Sequence, residues 1–214
     1  MQTSFIAAAS LAIHAAIIAN KFEIEALDHA IGDDDHYINI ESGSQAIAEH
    51  YNMLIALPVD EALNTIGTQI LNTVGGTLGP LFASFFTGMA KYLKENNFPI
   101  NANNPNLETA AAFAYGVQCM MMRGKSNVGQ KTMLDVLVPV STTLTIAATQ
   151  RQSIAGICNE VKNAADNGLE YTRNLVALKG RAASFGNLAI GHLDPGAKSC
   201  QVMIHAVCDL ILKK

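Results

Sequence analysis

The chain has 214 residues, 50% of them hydrophobic and only 15% charged, against a usual charged share of about 25%. That composition excludes a disordered tail, a collagen-like repeat and a charged coiled coil, and at roughly 150 residues per domain it leaves room for one domain or at most two. With 14 Lys+Arg against 18 Asp+Glu and a pI near 5.8, the chain lacks the basic surplus that grips a phosphate backbone, so no direct nucleic-acid partner is expected.

In chain order, the dominant pattern is helical: Ala-rich apolar runs cut by short Gly, Asn, Asp and Pro clusters, with no long strand-like alternation. The first run, Phe5 to Ala19, is apolar save for Ser10 and His14. It resembles the hydrophobic stretch of a signal peptide, but no Lys or Arg precedes it and no clear cleavage site follows. It is also shorter than the ~18 residues of a membrane span. A core-facing first helix from Ser4 to Leu27 is expected, in a cytoplasmic chain without membrane association.

Further helices are predicted over Ile38–Ala56, Asp60–Thr73, Pro80–Asn96, Leu107–Arg123, Lys131–Thr149, Arg151–Leu178 and Ala197–Lys213. Pro80 suits a first helical position, Asp60 and Asp194 can cap the helices they precede, and Pro139 is expected to kink its helix. Asn96 to Pro105, with five Asn and two Pro, reads as a surface loop. Cys119, Cys158, Cys200 and Cys208 form no CxxC pair, and Cys200 and Cys208 would stand about 12 Å apart along one helix. Reduced, buried thiols are expected. Residues 1–214 read as a single all-α domain of about eight helices.

The chemistry sits in four cuts between helices. The first, Leu27 to Asn39, carries Asp28, Asp33 and Asp35. Residues two apart in an extended turn point the same way, and Asp28 can reach the same volume from the helix end. Three carboxylates forced together repel unless a cation neutralises them, and hard divalent ions such as Mg²⁺ take such oxygens. A solvated acidic turn that caps the next helix is the competing reading. The second cut, Thr73-Val74-Gly75-Gly76-Thr77-Leu78-Gly79-Pro80, opens a helix and could cradle an anion, or be a plain turn. The third, Arg123 to Met133, is basic and glycine-bearing but lacks the order of a phosphate loop. The fourth, Lys179 to Ala197, offers Arg181, His192 and the tight turn Asp194-Pro195-Gly196. Together they form the parts of a Mg²⁺–nucleotide site.

At these cuts the chain resembles the ADP-binding subunits of bacterial dihydroxyacetone kinases, the DhaL type. The resemblance runs from Leu27 to the C-terminus, on LDHAIGDDDHYIN (27–39), TVGGTLGPLFASFF (73–86), RGKSNVGQKTMLDVLVPV (123–140) and KGRAASFGNLAIGHLDPGAKS (179–199). It implies an all-α fold, an eight-helix antiparallel barrel or bundle with the nucleotide site in the loops at one end. It also implies Mg-ADP/ATP held as a cofactor by two Mg²⁺ ions. A phosphohistidine of a phosphotransferase-system donor would recharge the ADP, and the phosphoryl group would pass to dihydroxyacetone on a separate kinase subunit. A transcription regulator is a further implied partner.

Carried over by motif, the metal ligands are Asp28, Asp33 and Asp35. Nucleotide contacts fall on His36, Asn39, Thr77, Leu78, Gly124, Met133, Arg181, Asp194, Pro195 and Gly196, and the aspartates with Arg181 form the catalytic set. Two positions depart from the pattern. Tyr37 stands where a small residue, typically glycine, is usual, and is expected either to narrow the rim or to donate its phenol to a phosphate. Leu78 replaces a hydroxyl expected to face phosphate. Those departures keep two alternatives open: a diverged, non-catalytic binding or regulatory module, and a Mg-dependent kinase module for another acceptor.

Overall fold

The computed structural model describes residues 3–97 and 104–213. Among them are ten α-helices, one 3-10 helix and no strand: α1 (Thr3–Ala19), α2 (Lys21–Ile31), α3 (His36–Glu49), α4 (Tyr51–Ala56), α5 (Val59–Thr73), α6 (Leu78–Glu95), α7 (Pro105–Gly124), α8 (Leu134–Thr149), α9 (Ile154–Thr172), the 3-10 segment Arg181–Ala189, and α10 (Pro195–Leu212). The all-helical expectation holds. The segments outnumber the eight expected because two long runs are broken.

The first break is at Asn20, whose side-chain amide donates to the Ala16 carbonyl at 2.9 Å. This side chain competes with the main chain for a helical carbonyl, and α1 and α2 meet at 64°. The second is at His50, whose Nδ1 lies 2.6 Å from the Ala46 carbonyl oxygen. No single described helix is long and apolar enough to cross a membrane; α1 and α2 pass that test only as a bent pair.

Smaller differences follow from capping. Pro58, not Asp60, is the residue before α5, and Asp60 lies inside its first turn. Pro80 sits two residues into α6. Asp194 does cap α10, accepting the Ala197 N–H at 2.7 Å. The α8 helix runs through Pro139 without a break. The Asn96–Pro105 loop lies largely outside the described residues, since 98–103 are not among them. All four cysteines are free, three of them buried and Cys119 half-buried.

Neighbouring helices pack in the order α1, α3, α5, α6, α7, α8, α9, α10 and back to α1, which closes a ring. Ile17, Ile24, Leu54, Leu93, Met120, Val136 and Val140 are nearly or fully buried in its core. Helices joined by short loops alternate in direction. The α2–α3, α5–α6, α7–α8 and α9–α10 connections therefore emerge at the same end, and these are the four cuts that carry polar chemistry.

Candidate functional site

At that end lies a cavity of about 800 Å³, within the usual range for a small-molecule site. Asp28, Asp33, Asp35, His36, Asn39, Thr77, Leu78, Gly124, Met133, Arg181, Asp194, Pro195 and Gly196 all line it. The metal, nucleotide and catalytic positions carried over by motif are thus brought to one volume. Ile31, Leu81, Met120 and Leu134 add apolar wall, and Arg123, Lys179 and Arg181 add positive charge.

The acidic cluster is built by the α2–α3 turn. Asp28 lies in the last turn of α2, beyond the expected helix end at Leu27, and is buried at 3% exposure. One of its oxygens accepts the His36 main-chain N–H at 2.9 Å, which ties the carboxylate to the start of α3. Oxygens of Asp28, Asp33 and Asp35 all lie within 4.8 Å of one another. Asp34, with φ 62°, turns to the other side, where its carboxylate meets His29 Nδ1 at 3.0 Å.

Desolvation first, then the charges of Asp33 and Asp28, raise the Asp35 carboxyl above its ordinary range, with Arg181 opposing. Arg181 Nε stands 2.6 Å from Asp33 Oδ2. An all-oxygen set of three carboxylates with surplus negative charge is the chemistry a hard divalent cation fits. Zinc or copper would instead favour the nitrogen and sulfur donors this cluster lacks.

Gly32 is a requirement of this turn. A Cβ there would collide with Asp28 Oδ1 and stand 2.7 Å from the Asp28 carbonyl oxygen. Gly32→Ala is expected to push the Asp28 carboxylate out of the cluster and weaken divalent-ion binding at least tenfold, about 1.4 kcal/mol. Titration with Mn²⁺ followed by electron paramagnetic resonance reads this directly.

Across the cavity, the Gly75 N–H donates to Asn39 Oδ1 at 3.2 Å, which fixes the turn before α6. Gly76 adopts φ 63° there. The exposed Thr77 presents its hydroxyl at the helix start. Leu78 is 8% exposed and belongs to the core cluster, so from this position only the main chain can meet a polar ligand. Tyr37 corrects an expectation: it is 8% exposed and packs in the core, with Lys21 Nζ 5.3 Å from its ring centroid. It is absent from the cavity lining and does not narrow the rim. Burial holds the His36 imidazole below its usual range despite Asp28 nearby, and its Nε2 lies 2.7 Å from Ser199 Oγ.

Two buried groups escaped the sequence reading. Lys131, fully buried at φ 59°, donates from Nζ to the Thr172 carbonyl at 2.6 Å and the His192 carbonyl at 2.5 Å. It clamps the end of α9 to the segment that leads into Asp194. Asp135, also fully buried, accepts the Gly129 N–H at 2.5 Å and the Thr132 N–H at 2.8 Å. The Thr132-Met133-Leu134-Asp135 run before an apolar helix is a capping-box pattern that could have revealed it.

Burial pushes the Asp194 carboxyl up to about 7, with the Ala197 N–H and the Lys131 charge pulling it back. From the ordinary carboxyl range up to about pH 7, the unfolded chain has lost this proton and the folded chain keeps it. Raising the pH through that window therefore favours unfolding, by up to about 1.4 kcal/mol per pH unit. Asp194→Asn keeps an acceptor for Ala197 and is expected to flatten that part of the stability profile, measured by urea unfolding at several pH values.

Comparison with known proteins gives this site its family. The DAK2 domain model matches residues 30–209. The chain is 33% identical over 188 residues to the ADP-binding subunit DhaL of the PEP-dependent dihydroxyacetone kinase 1 of Listeria innocua, covering 88% of this chain and 86% of that one. It is also 33% identical over 178 residues to the ADP-binding subunit DhaL of the PEP-dependent dihydroxyacetone kinase of Escherichia coli, covering 83% and 82%. The fold matches the crystal structure of the dihydroxyacetone kinase from C. freundii in complex with AMP-PNP and Mg²⁺, with TM-score 0.72 and 24% identity over 95% of this chain. The match spans 33% of that longer chain. The closed ring of helices, the oxygen-lined rim and these similarities lead to one assignment: the chain belongs to the DAK2-domain family, with relatives that are DhaL-type ADP-binding subunits of dihydroxyacetone kinase.

Proposed function

We propose that the protein is a cytoplasmic phosphotransferase subunit that carries Mg-ADP/ATP and passes a phosphoryl group to dihydroxyacetone, or a related small hydroxyketone, held on a partner kinase subunit. A phosphohistidine of a phosphotransferase-system protein is the proposed donor. The observation that carries this reading is the convergence of Asp28, Asp33 and Asp35 within 4.8 Å on the rim of a cavity that all four polar connections line.

Phosphoryl transfer needs positioning and charge neutralisation more than a protein base, and the residues here suit that division of labour. Asp28, Asp33 and Asp35 would hold two Mg²⁺ ions. Asn39 braces the Gly75–Gly76 turn, which leaves the Thr77 hydroxyl and the N–H groups at the start of α6 facing the anion, where the helix end adds partial positive charge. Gly124 and Met133, with Met120 and Leu81, offer an apolar slot for a base. Arg181, ion-paired to Asp33, supplies positive charge at the rim, and the Asp194-Pro195-Gly196 turn, fixed by Lys131, closes the far wall. His36, whose Nε2 lies 2.7 Å from Ser199 Oγ, serves as a hydrogen-bonding strut. When bound, the Mg-nucleotide supplies the phosphoryl group itself.

The reading as a non-catalytic module drew on Tyr37 and Leu78. Tyr37 is packed away from the cavity, and Leu78 is part of its wall while packing mostly in the core at 8% exposure, so the obstruction at position 37 on which that reading drew is not present. Calorimetric titration of the protein with ADP at millimolar Mg²⁺ is expected to show binding that EDTA removes. Absence of binding under those conditions would overturn the proposal.

A further inference from the structure

Between α7 and α8 the chain forms part of the cavity wall through Ser126, Thr132 and Met133, without regular secondary structure. It turns through the left-handed region at Lys125 (φ 45°), Gly129 (φ 87°) and Lys131 (φ 59°). Two of these three residues carry side chains, for which that region is unfavourable. Such a path persists only where its surroundings fix it.

Two side chains fix this one from behind. Gln130 Oε1 accepts the Ser126 hydroxyl at 2.8 Å and the Asn127 N–H at 3.0 Å. The buried Asp135 carboxylate takes the Gly129 and Thr132 N–H groups, one on each oxygen. Neither Gln130 nor Asp135 lines the cavity. Asp135 stands in the first turn of α8, and α8 is held hard against α9: a Cβ at Gly168 would collide with the Asp135 carbonyl oxygen. The loop is thus braced from the ring of helices and does not set its own shape. Burying a carboxylate is costly unless it is hydrogen-bonded. Here both oxygens are spent on main-chain donors, and bonds to a charged acceptor are short and directional.

The braces also decide what the wall offers. The Ser126 proton is committed to Gln130, which leaves its oxygen to accept. The Thr132 oxygen accepts the Leu134 N–H at 3.2 Å, which leaves its proton to donate. Met133, with Met120 and Leu81 nearby in the lining, supplies apolar surface. A planar heterocycle suits this wall, being apolar on its faces and carrying a donor and an acceptor at its edge. A phosphate chain, which only accepts, gains nothing from the Ser126 oxygen.

We propose that Gln130 and Asp135 are positioning residues for the nucleotide base: they hold Ser126, Thr132 and Met133 in the shape that receives it, without touching it. The inference rests on the nucleotide-carrying function proposed above, and it separates the base wall from the acidic cluster, which is built by a different connection.

The test is calorimetric titration of the full chain at millimolar Mg²⁺ with two ligands, ADP and inorganic pyrophosphate, which keeps the diphosphate and lacks the base. The wild type is expected to bind ADP more tightly than pyrophosphate. Gln130→Ala and Asp135→Asn are each expected to lower ADP affinity at least tenfold and to leave pyrophosphate affinity within about twofold. Gln130→Glu, which keeps an acceptor for both donors, is expected to bind ADP as the wild type does. General destabilisation would not lower one affinity and spare the other. Gln130 is only half-buried, so its pair of variants gives the readout even should Asp135→Asn fail to fold. A wild type that binds neither ligand would overturn the proposed function and this inference with it. A wild type that binds ADP, with a Gln130→Ala variant that keeps full ADP affinity or loses both ligands equally, would overturn this inference alone.

Discussion

Asp33→Ala is expected to abolish Mg²⁺-dependent ADP binding, by a hundredfold or more, about 3 kcal/mol, while leaving the protein as stable as before. The carboxylate is one of three oxygen donors in the cluster, and removing it takes away a full negative charge where cations would be held. The fold loses little in return. Its ion-pair partner, Arg181, has a side chain 71% exposed, and such a surface pair contributes at most ~1 kcal/mol. Asp33 is also one of the charges that raise the Asp35 carboxyl, so its removal relieves repulsion. Calorimetric titration with ADP and thermal melts in EDTA separate the two effects. Asp34→Ala, next door but directed to His29, is the control and is expected to bind as the wild type does. Equal affinity in both variants would remove the cluster from the account of binding.

Lys131→Met is expected to cause the largest loss of stability of any single change at this end of the molecule. Methionine keeps the length of the side chain and loses the ammonium. The Thr172 and His192 carbonyls, now bonded at 2.6 and 2.5 Å, would be left without that donor. Burial already lowers the Lys131 pKa, with the charge of Asp194 opposing. Stranding two buried acceptors costs about 3–4 kcal/mol. At 2–4 °C per kcal/mol for a chain of this size, the melting temperature falls by roughly 10 °C. Differential scanning calorimetry checks this. A change under about 1 kcal/mol would mean that the clamp is replaced by water at little cost.

Much of the site was legible because its residues interrupt a helical pattern. The Gly-Asp-Asp-Asp run, the paired glycines before α6 and the Asp-Pro-Gly turn stand out against Ala-rich helices, and the closed ring brings those interruptions to one end. The breaks at Asn20 and His50 were not legible: each turns on one side chain reaching a carbonyl a turn earlier, and nothing in the apolar spacing marks that competition. The Arg181–Ala189 3-10 segment was also missed, since it bends at Gly186 with φ 54° and never shows a sustained period. Lys131 was hidden for a different reason. A lysine in a glycine-bearing loop reads as a solvent-facing cation, and only the tertiary arrangement reveals that its charge is spent on two main-chain carbonyls. Tyr37 misled because its position in the motif adjoins the acidic cluster, whereas its side-chain direction is set by the pitch of α3.

The ring has a further consequence for engineering. The run from α1 into α2 leads toward the cavity, and its neighbour α10 starts at the cavity wall and leads away. The first turn of α1 and the last turn of α10 consequently lie together at the pole opposite the nucleotide. A fluorescent reporter or surface tether attached there would leave the mouth clear.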